Sequence, residues 1–438
     1  MIKAFQLGLG IKMDPLILSL LMGSIIIVVG FICNYIFEKT GFPDMLLLII
    51  LGIILGPLIT LIEPTFTRES LMGLAPYLAA LAIIFILFDG GMKMNIYQIF
   101  SESPRAVLLA TLGFTLSTLT ITLLMMFAAG FPPRYALLFG TINGGSSSIA
   151  VISLAHKIKV SEKTSIILSL ESAMTDVLCI VVSLAVLAMI TGANHTGYAD
   201  VGKMIASRFS VGAVLGVLFG VAWLGILRKA IKLPYAYMLT VGMLLFSYAL
   251  SEELGGSGAL TCLLFGIVLG NEREINRILK RERPSLITVD EGLKRFEAEI
   301  AFLIRSFFFV FLGLIAVLPN PSGGAANWNL FIFYGMVISL LLLLVRYLAV
   351  TVASVKSEIR AEKTIIWVVL ARGLAAAVLS TFPAQDSYKG YFDLSRTGKP
   401  NAPDWYINVA LIIILVTAVI CTLGIFLISK KKREEISL

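Results

Sequence analysis

The stretch Asn143-Gly144-Gly145-Ser146-Ser147-Ser148 interrupts an apolar segment that runs from about residue 134 to 156. Two glycines and three hydroxyls in a row continue a membrane helix poorly, and in lipid every backbone group they free must find a partner. A second interruption, Arg372-Gly373-Leu374-Ala375-Ala376-Ala377, falls inside the apolar segment 364–384. Broken helices at matching places in two halves of a chain mark a secondary transporter whose binding site lies near the bilayer midplane. Packing of small residues between intact helices is the competing explanation. It has more force in the second segment, where the alanines favour an unbroken helix.

The rest of the chain sets these two segments in a frame. Of its 438 residues, 58% are hydrophobic and only 14% charged, whereas a soluble domain carries about a quarter charged residues. The apolar residues lie in blocks about 20 long, the length that crosses a hydrocarbon core of about 30 Å. About 13 spans can be read, near residues 15–37, 43–62, 72–92, 105–129, 134–156, 164–191, 205–227, 233–250, 257–270, 299–318, 328–353, 364–384 and 405–429. The expected fold is therefore an all-α polytopic membrane protein forming a single transmembrane domain. The interrupted segments are its fifth and twelfth spans. A shift of seven spans is odd and reverses topology, so spans 1–6 and 8–13 can be inverted repeats joined by span 7.

Basic residues in alternate loops number about 23 on one side and 9 on the other. By the positive-inside rule the N-terminus is outside and the C-terminus cytoplasmic, in a cell (inner) membrane. The net charge of +8 is spent on these loops, which argues against nucleic acid as a partner. Cys33, Cys179, Cys262 and Cys421 each fall in an apolar block, so neither a disulfide framework nor a metal cluster is expected, and no cofactor is called for. Met1 to Pro15 lacks a clean basic start, so no cleaved leader is expected. The connection from Asn271 to Glu297 alternates charged and apolar residues and predicts a surface helix. The tail after Ile428 is about ten residues long, too short for a regulatory nucleotide-binding domain.

An ionisable group at the bilayer centre costs about 2.5–3.5 kcal/mol on insertion scales, so each one needs a reason. The candidates are Asp89, Glu171, Asp176, Arg305, Arg346 and Arg372. In Leu170-Glu171-Ser172-Ala173-Met174-Thr175-Asp176-Val177, Ser172 and Asp176 share one helical stripe, and Glu171 and Thr175 share the next. Oxygen ligands suit a hard monovalent cation. A broken fifth span would add freed carbonyls near Asn143 and the hydroxyls of Ser146 and Ser147. Burial disfavours a bare carboxylate, so Asp176 can be tolerated by holding a proton or a cation, one at a time. If only the loaded carrier crosses, that competition couples the two fluxes one for one and without net charge. Glu171, paired with Arg346 or Arg372, would stay charged and orient the site. Asp89, in Phe88-Asp89-Gly90-Gly91, could line the inner entrance, pair with an arginine or sit among headgroups. Arg305 is expected to snorkel or to pair with Glu299. His156 and His195 lie near span ends and do not suggest proton relays.

The run Glu171 to Asp176 resembles the sixth-span signature of NhaP-type sodium/proton antiporters of the cation:proton antiporter superfamily, which have a glutamate, a serine and an Asn-Asp pair at this spacing. Phe88-Asp89-Gly90-Gly91, Gly255-Gly256-Ser257-Gly258, Phe309-Val310-Phe311-Leu312-Gly313 and Arg372-Gly373 extend the resemblance over nearly the whole chain. It implies 13 helices in a homodimer, with helices 5 and 12 unwound and crossing. It also implies an ion-transport core of residues 105–191 and 328–429, which moves against a dimerisation scaffold of residues 15–92 and 205–318. Asp176 would carry the ion and the proton, with Ser172, Thr175, Asn143, Ser146 and Ser147 around it, and Asp176, Ser172 and Ser146 would be the ligands of the transported cation. Arg346 stands where the family has a lysine or arginine, and electroneutral members tend to have arginine. Two departures bear on selectivity. The family's Asn-Asp is here Thr175-Asp176, and its fifth-span Thr-Asp-Pro is here Ser146-Ser147-Ser148. Kef-type potassium transporters also carry serines in this region, so Na+, Li+ and K+ all stay open.

Other classes fit less well. A carrier of organic anions could use a half-helix N-terminus, but not a bare aspartate beside it. An intramembrane serine protease needs a histidine near its nucleophile, and His156 lies eight residues past Ser148. An enzyme is not expected. A channel is distinguished by its flux rather than by its sequence.

Overall fold

The computed structural model describes residues 15–40, 42–62, 67–94, 104–147, 161–192, 198–230, 235–278, 291–317, 328–355, 360, 362–394 and 401–436. The helices are α1 (Pro15–Thr40), α2 (Asp44–Ile62), α3 (Ala75–Lys93), α4 (Pro104–Phe127), α5 (Pro133–Ile142), α6 (Glu162–Thr191) and α7 (Tyr198–Ala230). They continue with α8 (Ala236–Glu253), α9 (Gly258–Gly270), α10 (Glu291–Val317), α11 (Trp328–Ala353), α12a (Lys363–Val368), α12b (Leu374–Ser380) and α13 (Ala402–Ile436). Eight described helices are long and apolar enough to cross a membrane, and the helical stretches Asp44–Thr60, Gly258–Gly270 and Leu374–Ala384 are shorter but equally apolar. Each expected span thus has a helical counterpart. The second half of the fifth span, with Ser148 and His156, lies outside the described residues, as does His195.

Local chemistry sets several ends. Between α8 and α9, Gly255 takes a left-handed conformation at φ 73°, the geometry that lets a glycine close a helix C-terminus. The next helix then opens on two caps. Ser257 Oγ accepts the Leu260 N–H, and a Glu252 carboxylate oxygen accepts the Gly258 N–H at 2.8 Å. With 13 residues, α9 is about 20 Å long, which explains why its span looks short. Several elements differ from the expected limits, the thirteenth helix among them, which runs on to Ile436. The seventh helix begins at Tyr198 and the tenth at Glu291, both earlier than hydropathy indicated, because polar first turns extend out of the apolar block. The surface helix expected between Asn271 and Glu297 is described only as the short helix Glu272–Ile278. It is tied down rather than solvated, since buried Glu272 pairs with Arg228 at 2.9 Å.

The packing shows the inverted repeat. Two of the closest helix pairs are α2 with α10 and α3 with α9. A seven-span shift exchanges them, turning 2 into 9 and 10 into 3. The same operation relates α4·α6 to α11·α13, α5·α6 to α12·α13, α1·α2 to α8·α9, and α3·α6 to α10·α13, all in contact. The pairs α4·α11 and α5·α12b map onto themselves and therefore lie on the pseudo-two-fold. Glycines let the exchanged pairs touch backbone to backbone. A Cβ on Gly52 would strike the Val310 carbonyl and the Gly313 Cα, and one on Gly91 would strike the Leu263 carbonyl and the backbone of α9.

Both interruptions are real breaks. The fifth helix stops at Ile142 and the chain leaves helical geometry through Asn143 to Ser147. The twelfth span stops at Val368 and resumes at Leu374. The alanines after Gly373 form the second half-helix and do not bridge the gap.

Candidate ion-binding site

The two unwound segments meet through a backbone hydrogen bond, Ser147 N–H to the Ala371 carbonyl, at 2.7 Å. A Cβ on Gly373 would overlap Ser147, so glycine is what allows the crossing. The fifth helix ends here with orphan carbonyls. The buried Arg372 guanidinium donates to two carbonyls of the unwound segment just beyond that helix, reaching the Gly144 oxygen at 2.9 Å and the Gly145 oxygen as well. A fixed positive charge at a helix C-terminus complements the helix dipole. Arg372 N–H is itself accepted by the Thr417 hydroxyl of α13 at 3.2 Å.

Glu171 is committed elsewhere. Arg346 of α11 grips it bidentately, with Nη1 to Oε1 at 2.7 Å and Nη2 to Oε2 at 3.0 Å, and both side chains are buried. Arg346 Nε also donates to the Ile366 carbonyl near the end of α12a, at 3.2 Å. This settles which arginine neutralises Glu171, and it corrects the grouping of Arg372 with the ion pair. Among the described residues Arg372 is within ion-pair distance of no carboxylate, because the break in the fifth helix offers its guanidinium freed carbonyls instead.

Ser146 and Thr175, expected as ion ligands, act as a strut. Ser146 Oγ donates to Glu171 Oε1 at 3.0 Å, and the Ser146 N–H goes to Thr175 Oγ1 at 3.1 Å. Together with Glu171, Arg346 and Arg372 they line a small void against α4. Asn143 is fully buried, and its Nδ2 donates back to the Phe139 carbonyl at 3.0 Å, closing the end of α5. Ser146 and Thr175 thus border the small void, whereas Ser147 and Asp176 border a second, larger space.

Asp176 faces another space. A cavity of about 730 Å³ is lined by Asp176, Ser147 and the first residues of α12b, with Asp89 and Lys93 of α3 and Arg305 of α10 opposite. One turn before Asp176, the buried Ser172 Oγ has no hydrogen-bond partner among the described residues. Ser147 shares the cavity lining with Asp176, and Ser172 stands one turn away from Asp176 on the same helix. Asp89 lines this cavity as an entrance residue would, with its carboxylate 2.5 Å from Lys93 Nζ. Arg305 neither snorkels nor pairs with Glu299. It forms a buried ion pair with Asp44 at 3.0 Å, and Asp44 also caps the start of α2 by accepting the Met45 N–H. Sequence reading did not single out Asp44, which stands at the start of a span. Thr417 was missed as one threonine in an apolar helix, and its signal is a repeat described below.

The fold is that of an inverted-repeat, all-helical membrane protein whose two unwound segments cross beside the acids of α6. The chain matches the family described as "Sodium/hydrogen exchanger, transmembrane" over residues 24–431 and belongs to that family. It is 27% identical over 392 residues to the K(+)/H(+) antiporter NhaP2 of Shewanella sp. (strain ANA-3), covering 86% of this chain and 62% of that protein. Over 417 residues it is 24% identical to the K(+)/H(+) antiporter NhaP of Alkalimonas amylolytica, covering 93% and 65%. The chain thus spans somewhat under two thirds of the length of these relatives. Its fold matches that of the sodium proton antiporter MjNhaP1 of Methanocaldococcus jannaschii with a TM-score of 0.75 and 21% identity, over 95% of this chain and 99% of that one. It is a multi-pass membrane protein of a transporter family, as the sequence indicated.

Proposed function

We propose that the protein is a secondary active transporter that exchanges a monovalent cation for H+ by alternating access, with ion and proton competing for Asp176. The carrying observation is the division of labour in α6. Glu171 is locked to Arg346 and Ser146, while Asp176 and Ser147 open on the cavity beside the unsatisfied Ser172 hydroxyl. Asp176, Ser172 and Ser147 hold the cation. Ser146, Thr175, Asn143 and Arg372 shape the unwound backbone, and Glu171 and Arg346 brace it. Because one carboxylate holds either one proton or one monovalent cation, the exchange is one for one and electroneutral.

Residues 105–191 and 328–429 move as the transport core against a scaffold formed by 15–92 and 205–318, which also dimerises. The cavity supports this division, since its walls come from α6 and α12b on one side and α3 and α10 on the other. The N-terminus is outside and the C-terminus cytoplasmic, so the cavity opens to the cytoplasm past Asp89 and Lys93. Na+ is the first reading of the cation. K+ is the second, supported by the K(+)/H(+) antiport for which the relatives above are named and by serines in place of a fifth-span acid.

The test is pH-gradient dissipation in proteoliposomes on addition of Li+, Na+ and K+ in turn, for the native chain and Asp176→Asn. The native protein should respond to at least one cation and Asp176→Asn to none. Full-rate exchange by Asp176→Asn would sink the proposal, and a membrane potential generated on cation addition would sink the electroneutral stoichiometry.

A further inference from the structure

Two pentapeptides repeat across the pseudo-two-fold: Thr175-Asp176-Val177-Leu178-Cys179 in α6 and Thr417-Ala418-Val419-Ile420-Cys421 in α13. They make the same contacts with the break of their own repeat. Thr175 Oγ1 accepts the Ser146 N–H at 3.1 Å, and the Cys179 thiol lies against the backbone of Gly144 and Gly145. Thr417 Oγ1 accepts the Arg372 N–H at 3.2 Å, and the Cys421 thiol lies against the backbone of Leu370 and Ala371. In both places the threonine takes one residue's amide and the thiol packs on the one or two residues before it, so the register is identical.

Each threonine therefore holds one planar peptide unit by its N–H, and the carbonyl of that unit is held across the crossing. The Gly145 carbonyl accepts from the Arg372 guanidinium. The Ala371 carbonyl accepts the Ser147 N–H at 2.7 Å. The result is one string of hydrogen bonds from α6 through both breaks to α13. Its two ends differ at the position after the threonine, which is Asp176 in α6 and Ala418 in α13. The acid is thus present in one repeat and absent in the other, while the latch is present in both.

We infer that Thr417 is a positioning residue for the cation site: its hydroxyl orients the Ala371–Arg372 peptide, which fixes Ser147 in the wall of the cavity it shares with Asp176. Thr417 is buried and does not line that cavity, so it acts through backbone. Without the hydroxyl, the Arg372 N–H is left buried and unmet. The peptide plane is then free to turn, and Ser147 moves with it. The inference rests on the proposed exchange at Asp176 and adds a residue to it.

The experiment measures exchange in proteoliposomes against Na+ and against K+ concentration for the native chain, Thr417→Val, Thr417→Ser and Asp176→Asn. Thr417→Val keeps the shape and removes the hydroxyl. It should raise the cation KM about tenfold, the scale of one unmet buried donor, with the pH midpoint of activity displaced. Thr417→Ser should return both to native values. An unchanged KM and pH midpoint in Thr417→Val, even with lower thermal stability, overturns the positioning role. If Thr417→Val does not accumulate, amide hydrogen exchange of residues 369–373 in the native protein decides. Protection equal to that of α12b supports the latch, and free exchange overturns it. The Asp176→Asn arm separates the two levels. An inactive Asp176→Asn with a native-like Thr417→Val removes only the latch, whereas an active Asp176→Asn removes the exchange site beneath it.

Discussion

Glu171 and Asp176 share one helix, yet the fold gives them different surroundings. A buried carboxylate facing a bidentate arginine is neutralised in place, and removing one partner leaves the other charge stranded. Arg346→Gln should therefore destabilise the protein by about 3–5 kcal/mol, and the double variant Glu171→Gln/Arg346→Gln should lose less than either single one. Thermal unfolding of the solubilised protein in a double-mutant cycle checks the non-additivity. Asp176 should behave differently. Asp176 borders the cavity and is only partly buried, so Asp176→Asn should lose exchange with a smaller fall in melting temperature than Arg346→Gln. A large loss of stability in Asp176→Asn would show that this carboxylate, too, is structural.

Among elements, the glycine-lined pairs α2·α10 and α3·α9 are where a single side chain is felt most. At Gly91 a Cβ would meet the backbone of α9 at two places, and backbone cannot swing aside as a flexible side chain can. Gly91→Val should prevent α3 from seating and should give no monodisperse protein in size-exclusion chromatography. Gly90→Val should be tolerated, because a Cβ there meets nothing within 4 Å. The buried Arg68–Asp404 pair, at 2.6 Å, fastens the segment before α3 to the first turn of α13. Asp404→Asn leaves Arg68 without its carboxylate and should cost about 3 kcal/mol, seen as a lower melting temperature. These contacts join parts of the chain remote in sequence, and neither residue of the pair had been singled out in the sequence.

For the whole molecule, competition at one site gives a prediction with a definite sign. If a proton and a cation exclude each other at Asp176, acidification fills the site with protons and raises the apparent cation KM. The rise approaches about tenfold per pH unit once the site is mostly protonated, and the linkage is reciprocal, so high cation concentration moves the pH profile toward acid. Initial exchange rates on a grid of pH and cation concentration check this. A cation KM that is independent of pH from acid to alkaline conditions would contradict a shared site.

The sequence alone determined the spans, the two interruptions and the intramembrane acids, because hydrophobic length and the cost of charge in lipid act on each segment without reference to its neighbours. It also indicated the repeat, since helices break where glycine and small polar residues gather. The tertiary structure decided partnership. It chose Arg346 for Glu171, turned Arg372 onto the carbonyls of the unwound segment after the fifth helix, drew Asp44 to Arg305, and set Ser146 and Thr175 on one side of the crossing with Ser147 and Asp176 on the other. Such choices depend on the direction in which an unwound backbone points its groups, and that direction is fixed only when the second unwound segment packs against the first.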